Sequence, residues 1–150
     1  MNIIEKLEYL TNNYDSDTAK DINILDIKLT DLNYFMEKAY LKQVTIFFIL
    51  KLKFVYYSNN NFDELAYCSY LISYYVLICL TPFGNDEIAF YYANKSIEFS
   101  NDLLYKKWII ENFTMYPSNY LSGGCAKKLA SDILQIDKNH EKSIEILSRS

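Results

Sequence analysis

At 150 residues the chain is long enough for one domain with a real core, and 51% hydrophobic with 23% charged residues excludes a disordered chain. Two prolines and three glycines are too few for the tight turns of an all-β fold, so a single all-α domain over 1–150 is expected. The net charge of −4 is uneven: residues 1–37 carry −5 and the rest +1, which argues against nucleic acid as a direct ligand of the N-terminal quarter and in favour of a basic protein partner.

Ile3, Ile4, Leu7 and Leu10 share one face and predict a helix over 3–10. In the same stretch, MNIIEKLEYL, Glu5 and Glu8 stand where a secretory leader needs a basic head and an apolar run, so a cytoplasmic protein is expected. Residues 12–17 (NNYDSD) read as a turn, followed by a short, acidic, partly helical piece through Asp26. Thr30 is placed to cap a helix over 31–57, with a bend, and Asp31 lies in its first turn, where the helix dipole favours an anion. Lys51 and Lys53 interrupt the apolar run VTIFFILKLKFVYY of that helix. In SNNNFDEL, Asn61 is the expected cap of the next helix, and Glu64 three residues on suggests a capping box.

LAYCSYLISYYVLICL, residues 65–80, lies within a 21-residue stretch without a charge. Tyr67, Tyr70, Tyr74 and Tyr75 with Ser69 and Ser73 occupy its middle, whereas tyrosine in a membrane prefers the interface. Acids rather than bases flank it, so no membrane association is expected. Leu65, Cys68, Ile72, Tyr75, Val76 and Cys79 form one stripe, and a helix apolar on most sides belongs at the centre of a helical stack. Pro82 and Gly84 stop it. Further helices are expected from Asn85 or Asp86 to Phe99, from Asn101 or Asp102 to Met115 with Pro117 as its stop, over 125–136 after Gly123 and Gly124, and over 140–147. The expected fold is about seven helices stacked as antiparallel hairpins, a helical bundle or a short repeat array.

Two segments 37 residues apart, AFYYANKSIEFSND (89–102) and AKKLASDILQIDKN (126–139), share an Ala-x3-Ala-x3-(Ile/Leu)-x-(Phe/Ile) pattern. Small residues four apart let a neighbouring helix approach closely, as helical hairpins require. The second segment, with HEKSIEIL after it, resembles the second helix and linker of a tetratricopeptide repeat. It has Lys138 where that linker carries proline, and the preceding Trp/Leu/Gly/Tyr signature is absent.

Little in the chain points to catalysis. His140 is the one histidine and there is no CxxC, so neither a metal site nor a cofactor is expected. Asp15, Asp17 and Asp21 lack the glycine and bidentate glutamate of a calcium loop and read as a solvated turn. Cys68, Cys79 and Cys125 read as reduced thiols, an odd number without paired spacing. In SGGCAKK, Cys125 opens a helix beside Lys127 and Lys128, a setting that would lower a thiol pKa or bind an anion. A plain helix–helix turn explains the same residues. No phosphate loop, nucleophile elbow or dinucleotide fingerprint occurs. The Tyr56–Tyr57, Tyr74–Tyr75 and Tyr91–Tyr92 pairs lack the cations that base-stacking surfaces need. Fourteen lysines against one arginine, with many Asn, Ile and Tyr, indicate an AT-rich gene, which by itself accounts for many tyrosines.

In overall character the chain resembles the immunity proteins of bacterial polymorphic toxins, including those of contact-dependent growth inhibition systems: small, acidic and encoded by AT-rich cassettes. The resemblance implies a non-enzymatic protein that binds and neutralises a cognate toxin domain, commonly a nuclease. The expected contact residues are Asp15, Asp17, Asp21, Asp26 and Asp31, short carboxylates in a turn-rich segment. The rival expectation is a helical-repeat adaptor that takes a peptide in a concave groove. An enzyme would instead need a pocket at Cys125. The sequence leaves the oligomeric state open.

Overall fold

The computed structural model describes residues 1–115 and 119–149. Every regular element among them is helical: α1 (Ile3–Asn12), α2 (Ser16–Asp21), a 3-10 turn (Ile24–Asp26), α3 (Leu29–Asn33), α4 (Tyr40–Tyr56), α5 (Phe62–Tyr74), a π-helical segment (Tyr75–Leu80), α6 (Asn85–Phe99), α7 (Leu103–Asn112), α8 (Gly123–Ile136) and α9 (Glu141–Ser148). The protein is all-α, with nine α-helices among the described residues rather than seven. They form two compact units, Met1–Phe99 and Ser100–Ser150.

The first unit is built on α5 and its π-helical continuation. Leu65, Ala66, Cys68, Leu71, Ile72, Tyr75 and Val76 are all buried there, as the sequence predicts. Among the described residues no helix is long and apolar enough to cross a membrane. Several polar side chains of this stretch bond to neighbouring backbone, and Tyr74 Oη donates to Asn33 Oδ1. Ser73 Oγ donates to the Ala89 carbonyl at 2.7 Å, an approach that alanine at that position permits. Tyr75 Oη donates to the Gln43 carbonyl at 2.8 Å and Tyr67 Oη to the Ile27 carbonyl at 2.6 Å. The π-helical segment ends at Thr81, which takes the left-handed conformation at φ 44°, ψ 52°. The Asn85 amide donates to the Val76 and Leu77 carbonyls at the end of this segment, where Val76 also accepts from the Thr81 N–H.

The two extra helices come from the N-terminal half. The expected 31–57 helix is two, because Gln43 Nε2 donates to the Phe35 and Met36 carbonyls at 3.0 and 2.7 Å and fixes a turn there. Phe35 is fully buried and anchors that turn. Thr30 is not a cap: α3 begins after Lys28, whose N–H donates to Asp31 Oδ2 at 2.8 Å. Asn61 does precede α5, but its side chain makes no capping bond. The acidic segment is also less of a loop than its charge suggests. Ile22, Ile24, Ile27 and Leu32 alternate with its aspartates and are buried, so it runs as a strap over α4 and α5.

In the second unit, Asp102 caps α7 by accepting from the Leu104 N–H at 2.9 Å. Helix α7 ends at Asn112 rather than Met115, and the expected stop at Pro117 lies outside the described residues. Ser122 caps α8, so Gly123 and Gly124 form its first turn instead of preceding it. His140 caps α9: its Nδ1 accepts from the Ser143 N–H at 3.3 Å, which leaves Nε2–H to donate to Glu111 Oε1 at 2.8 Å. Ala126 and Ala130 of α8 are buried, as Ala89 and Ala93 of α6 are in the first unit.

Candidate functional site

Helix α4 is apolar on both sides but buried on one. Gln43, Ile46, Ile49, Leu50 and Lys53 face the core. The opposite side carries Leu41, Thr45, Phe48, Leu52 and Val55, spaced four and three residues apart in alternation, the spacing of a helix–helix seam. Leu41 is 76% exposed, Phe48 58%, Leu52 53% and Val55 63%. No charge interrupts this face, because all three lysines of α4 are engaged elsewhere. Lys42 pairs with Glu8 at 2.7 Å, Lys51 bonds the Tyr92 hydroxyl, and Lys53 Nζ donates to the Lys20 carbonyl at 3.3 Å.

Beside this face, α2 and α4 enclose an open groove of about 170 Å³. Tyr14, Ala19, Ile49, Leu52 and Tyr56 give it apolar walls, with Ser16, Lys20 and Lys53 among them. Lys53 is only 5% exposed, and burial pushes its ammonium below the ordinary lysine range, against a smaller pull from Asp21. Among the described residues no carboxylate lies within ion-pair distance of it.

The five aspartates take different places. Asp15 caps α2: it accepts from the Asp17 N–H at 3.1 Å and from Thr18 Oγ1 at 2.7 Å, and these bonds lower its pKa. Asp17 and Asp21 are exposed on α2, adjacent in sequence to Ser16 and Lys20; those two line the groove, and Asp15, Asp17 and Asp21 do not. Asp26 is exposed in the 3-10 turn, and Asp31 is held by the Lys28 N–H and acts on Tyr67. No hydrogen bond joins Asp26 or Asp31 to the other three. The groove and the exposed α4 face are formed by residues other than the five expected aspartates. The available signal was VTIFFILKLKFVYY: a helix apolar all round needs cover on all sides, and two lysines inside it need an explanation.

Cys125 is exposed in the first turn of α8 and is not among the residues lining the nearby depression formed by Thr114, Leu121, Gly123, Ala126 and Ile146. His140, its conceivable partner, is occupied by Ser143 and Glu111. Burial raises the Cys68 thiol strongly and the Cys79 thiol to about 11. Among the described residues no three His, Cys, Asp or Glu side chains converge as a metal site requires. Comparison with protein-family models, with curated proteins and with solved structures finds no match.

Proposed function

We propose that this protein works by binding another protein: an immunity protein that neutralises a cognate basic toxin domain by covering its active site or substrate surface. The observation that carries the reading is the charge-free, exposed face of α4 set beside the acidic α2. Interface cores are depleted in charge and enriched in aromatics, with a polar rim around them. With Tyr56, the exposed α4 residues offer on the order of 600 Å², against about 800 Å² per partner in a standard interface. The occupant's chemistry follows from the neighbouring charges: residues 15–31 hold five aspartates and two lysines, so a basic partner is steered to them.

The finer architecture belongs to the same proposal. The short connection between the π-helical segment and α6 supports an antiparallel hairpin at Leu65–Leu80 within the first unit, and that between α8 and α9 supports another within the second. A cytoplasmic location suits three unpaired cysteines.

The test is co-expression and kinetic binding with the C-terminal domain encoded immediately upstream. Asp15, Asp17 and Asp21 replaced together by Asn should slow association about tenfold at low salt and flatten its salt dependence. The melting temperature should hold, because Asn caps α2 as well as Asp does. Phe48→Asp with Leu52→Asp should instead speed dissociation. Binding by both variants at the native rates would remove this face from the interface.

A further inference from the structure

The geometry points to a second recognition element in the first unit: the groove between α2 and α4 is a binding site for a carboxylate carried on a compact apolar body, with Lys53 as its counter-ion. This does not rest on the toxin-binding reading. Three observations carry it. The groove is open to solvent and apolar-walled, and at about 170 Å³ it matches the size of apolar cavities that admit a benzene-sized molecule. At its wall stands a lysine that is 5% exposed and makes a single hydrogen bond, 3.3 Å to the Lys20 carbonyl. An ammonium carries three donors, so two of them are left without a partner among the described residues. Among the described residues no carboxylate pairs with it directly, and Asp21 acts on it only through space.

A largely buried lysine with one hydrogen bond and no ion pair gains a partner when an anion of the right shape enters the groove. The apolar walls select what accompanies the charge. Inorganic anions would forfeit their hydration against Ile49, Leu52 and Ala19, whereas an aryl or short alkyl acid buries its body there and brings its carboxylate to Lys53. Tyr14 and Tyr56 line the same groove and offer flat faces to such a body. The aspartates of α2 work against free anions at long range, so the preference comes from short-range pairing in the groove and not from steering. The same carboxylate chemistry could arrive as a free small acid or as the C-terminus of a peptide chain ending in an aromatic residue.

Phenylacetate and its neutral isostere phenylacetamide separate charge from shape, and an N-acetylated tripeptide ending in Phe, as free acid and as carboxamide, tests the peptide source. Titrations of the full chain, followed by the Cε and Nζ resonances of Lys53, should show at least one acid binding tenfold or more tighter than its amide. The pair with the larger preference identifies the source. Lys53→Met should erase the preference, while Lys20→Met should change it less than threefold. Equal affinity of acid and amide in both pairs, or no binding by any of the four, overturns the site. So does a preference that survives Lys53→Met.

Discussion

Replacing Lys53 by Met isolates the cost of holding a charge in the α2–α4 groove. Methionine keeps the apolar stem and removes the ammonium. Burial holds the folded-state pKa of Lys53 below the usual lysine range, whereas the unfolded chain keeps its proton to about pH 10.4. Between those two values the unfolded state binds more protons, so the native protein gains stability as pH rises through that window. Below the window both states are protonated and the native state carries the full desolvation cost. At pH 7 two effects oppose. Met forfeits the 3.3 Å bond to the Lys20 carbonyl, worth about 1 kcal/mol. It also relieves an under-paired buried ammonium, worth about 2 kcal/mol. The balance is about 1 kcal/mol in favour of the variant, a melting-temperature rise of about 3 °C. Thermal melts at pH 7, 8, 9 and 10 should show that gain shrinking as the pH rises, and the difference between the two proteins cancels the titration of tyrosines and cysteines. A variant that melts several degrees lower at pH 7, or a gain independent of pH, would refute the reasoning and make Lys53 a structural tie to the end of α2.

Ile72→Asp should abolish cooperative melting, because an unpaired charge in the core of α5 costs several kcal/mol, of the order of the total stability. Thr81→Gly should raise the urea midpoint by an amount equivalent to about 0.5 kcal/mol, since glycine removes the left-handed strain but enlarges the unfolded ensemble; an unchanged or lower midpoint would show that the Thr81 conformation is not costly. Tyr75→Phe should lose about 1 kcal/mol in the same assay through its bond to the Gln43 carbonyl, with the ring's packing retained.

What was legible in the sequence is what local chemistry decides. The helical class followed from sparse glycine and proline, and the burial of 65–80 followed from its apolar stripe with tyrosines able to reach neighbouring carbonyls. The start at Asn101 or Asp102 agrees with the Asp102 cap, whereas Asn61 makes no side-chain cap and Thr30 lies inside α3, because the backbone's approach to the helix, set by tertiary packing, decides whether a side chain can cap. The sequence supports a bend within 31–57, but not a full break between α3 and α4, for the same reason. The break depends on Gln43 reaching two carbonyls of a preceding turn, and on Phe35 finding a pocket, neither of which is a local property. The acidic segment was read by its charges, while its isoleucines determine its path. Of the candidate site, Asp15, Asp17 and Asp21 follow from charge alone, whereas the groove needs α2 and α4 to meet.

The contrast between α4 and α5 is the strongest argument for an interaction protein. Both are apolar around most of their circumference, and both carry polar groups that bond to distant backbone. Helix α5 is covered on nearly every side by α4, α6 and the strap, which is the arrangement its composition demands. Helix α4 packs mainly on α1, α5 and the π-helical segment, and reaches α2 and α6 through Lys53, Lys51 and Phe54. A solvated helix face costs a sequence nothing if it is built from lysine, glutamate or glutamine, and this chain has fourteen lysines to place. It places the three lysines of α4 away from the exposed face and leaves Leu41, Phe48, Leu52 and Val55 there instead. An uninterrupted apolar face of that kind on a folded monomer is an aggregation liability unless something covers it. The neighbouring α2 and its cap carry Asp15, Asp17 and Asp21 against Lys20, the charge balance on which the proposal of a basic partner rests.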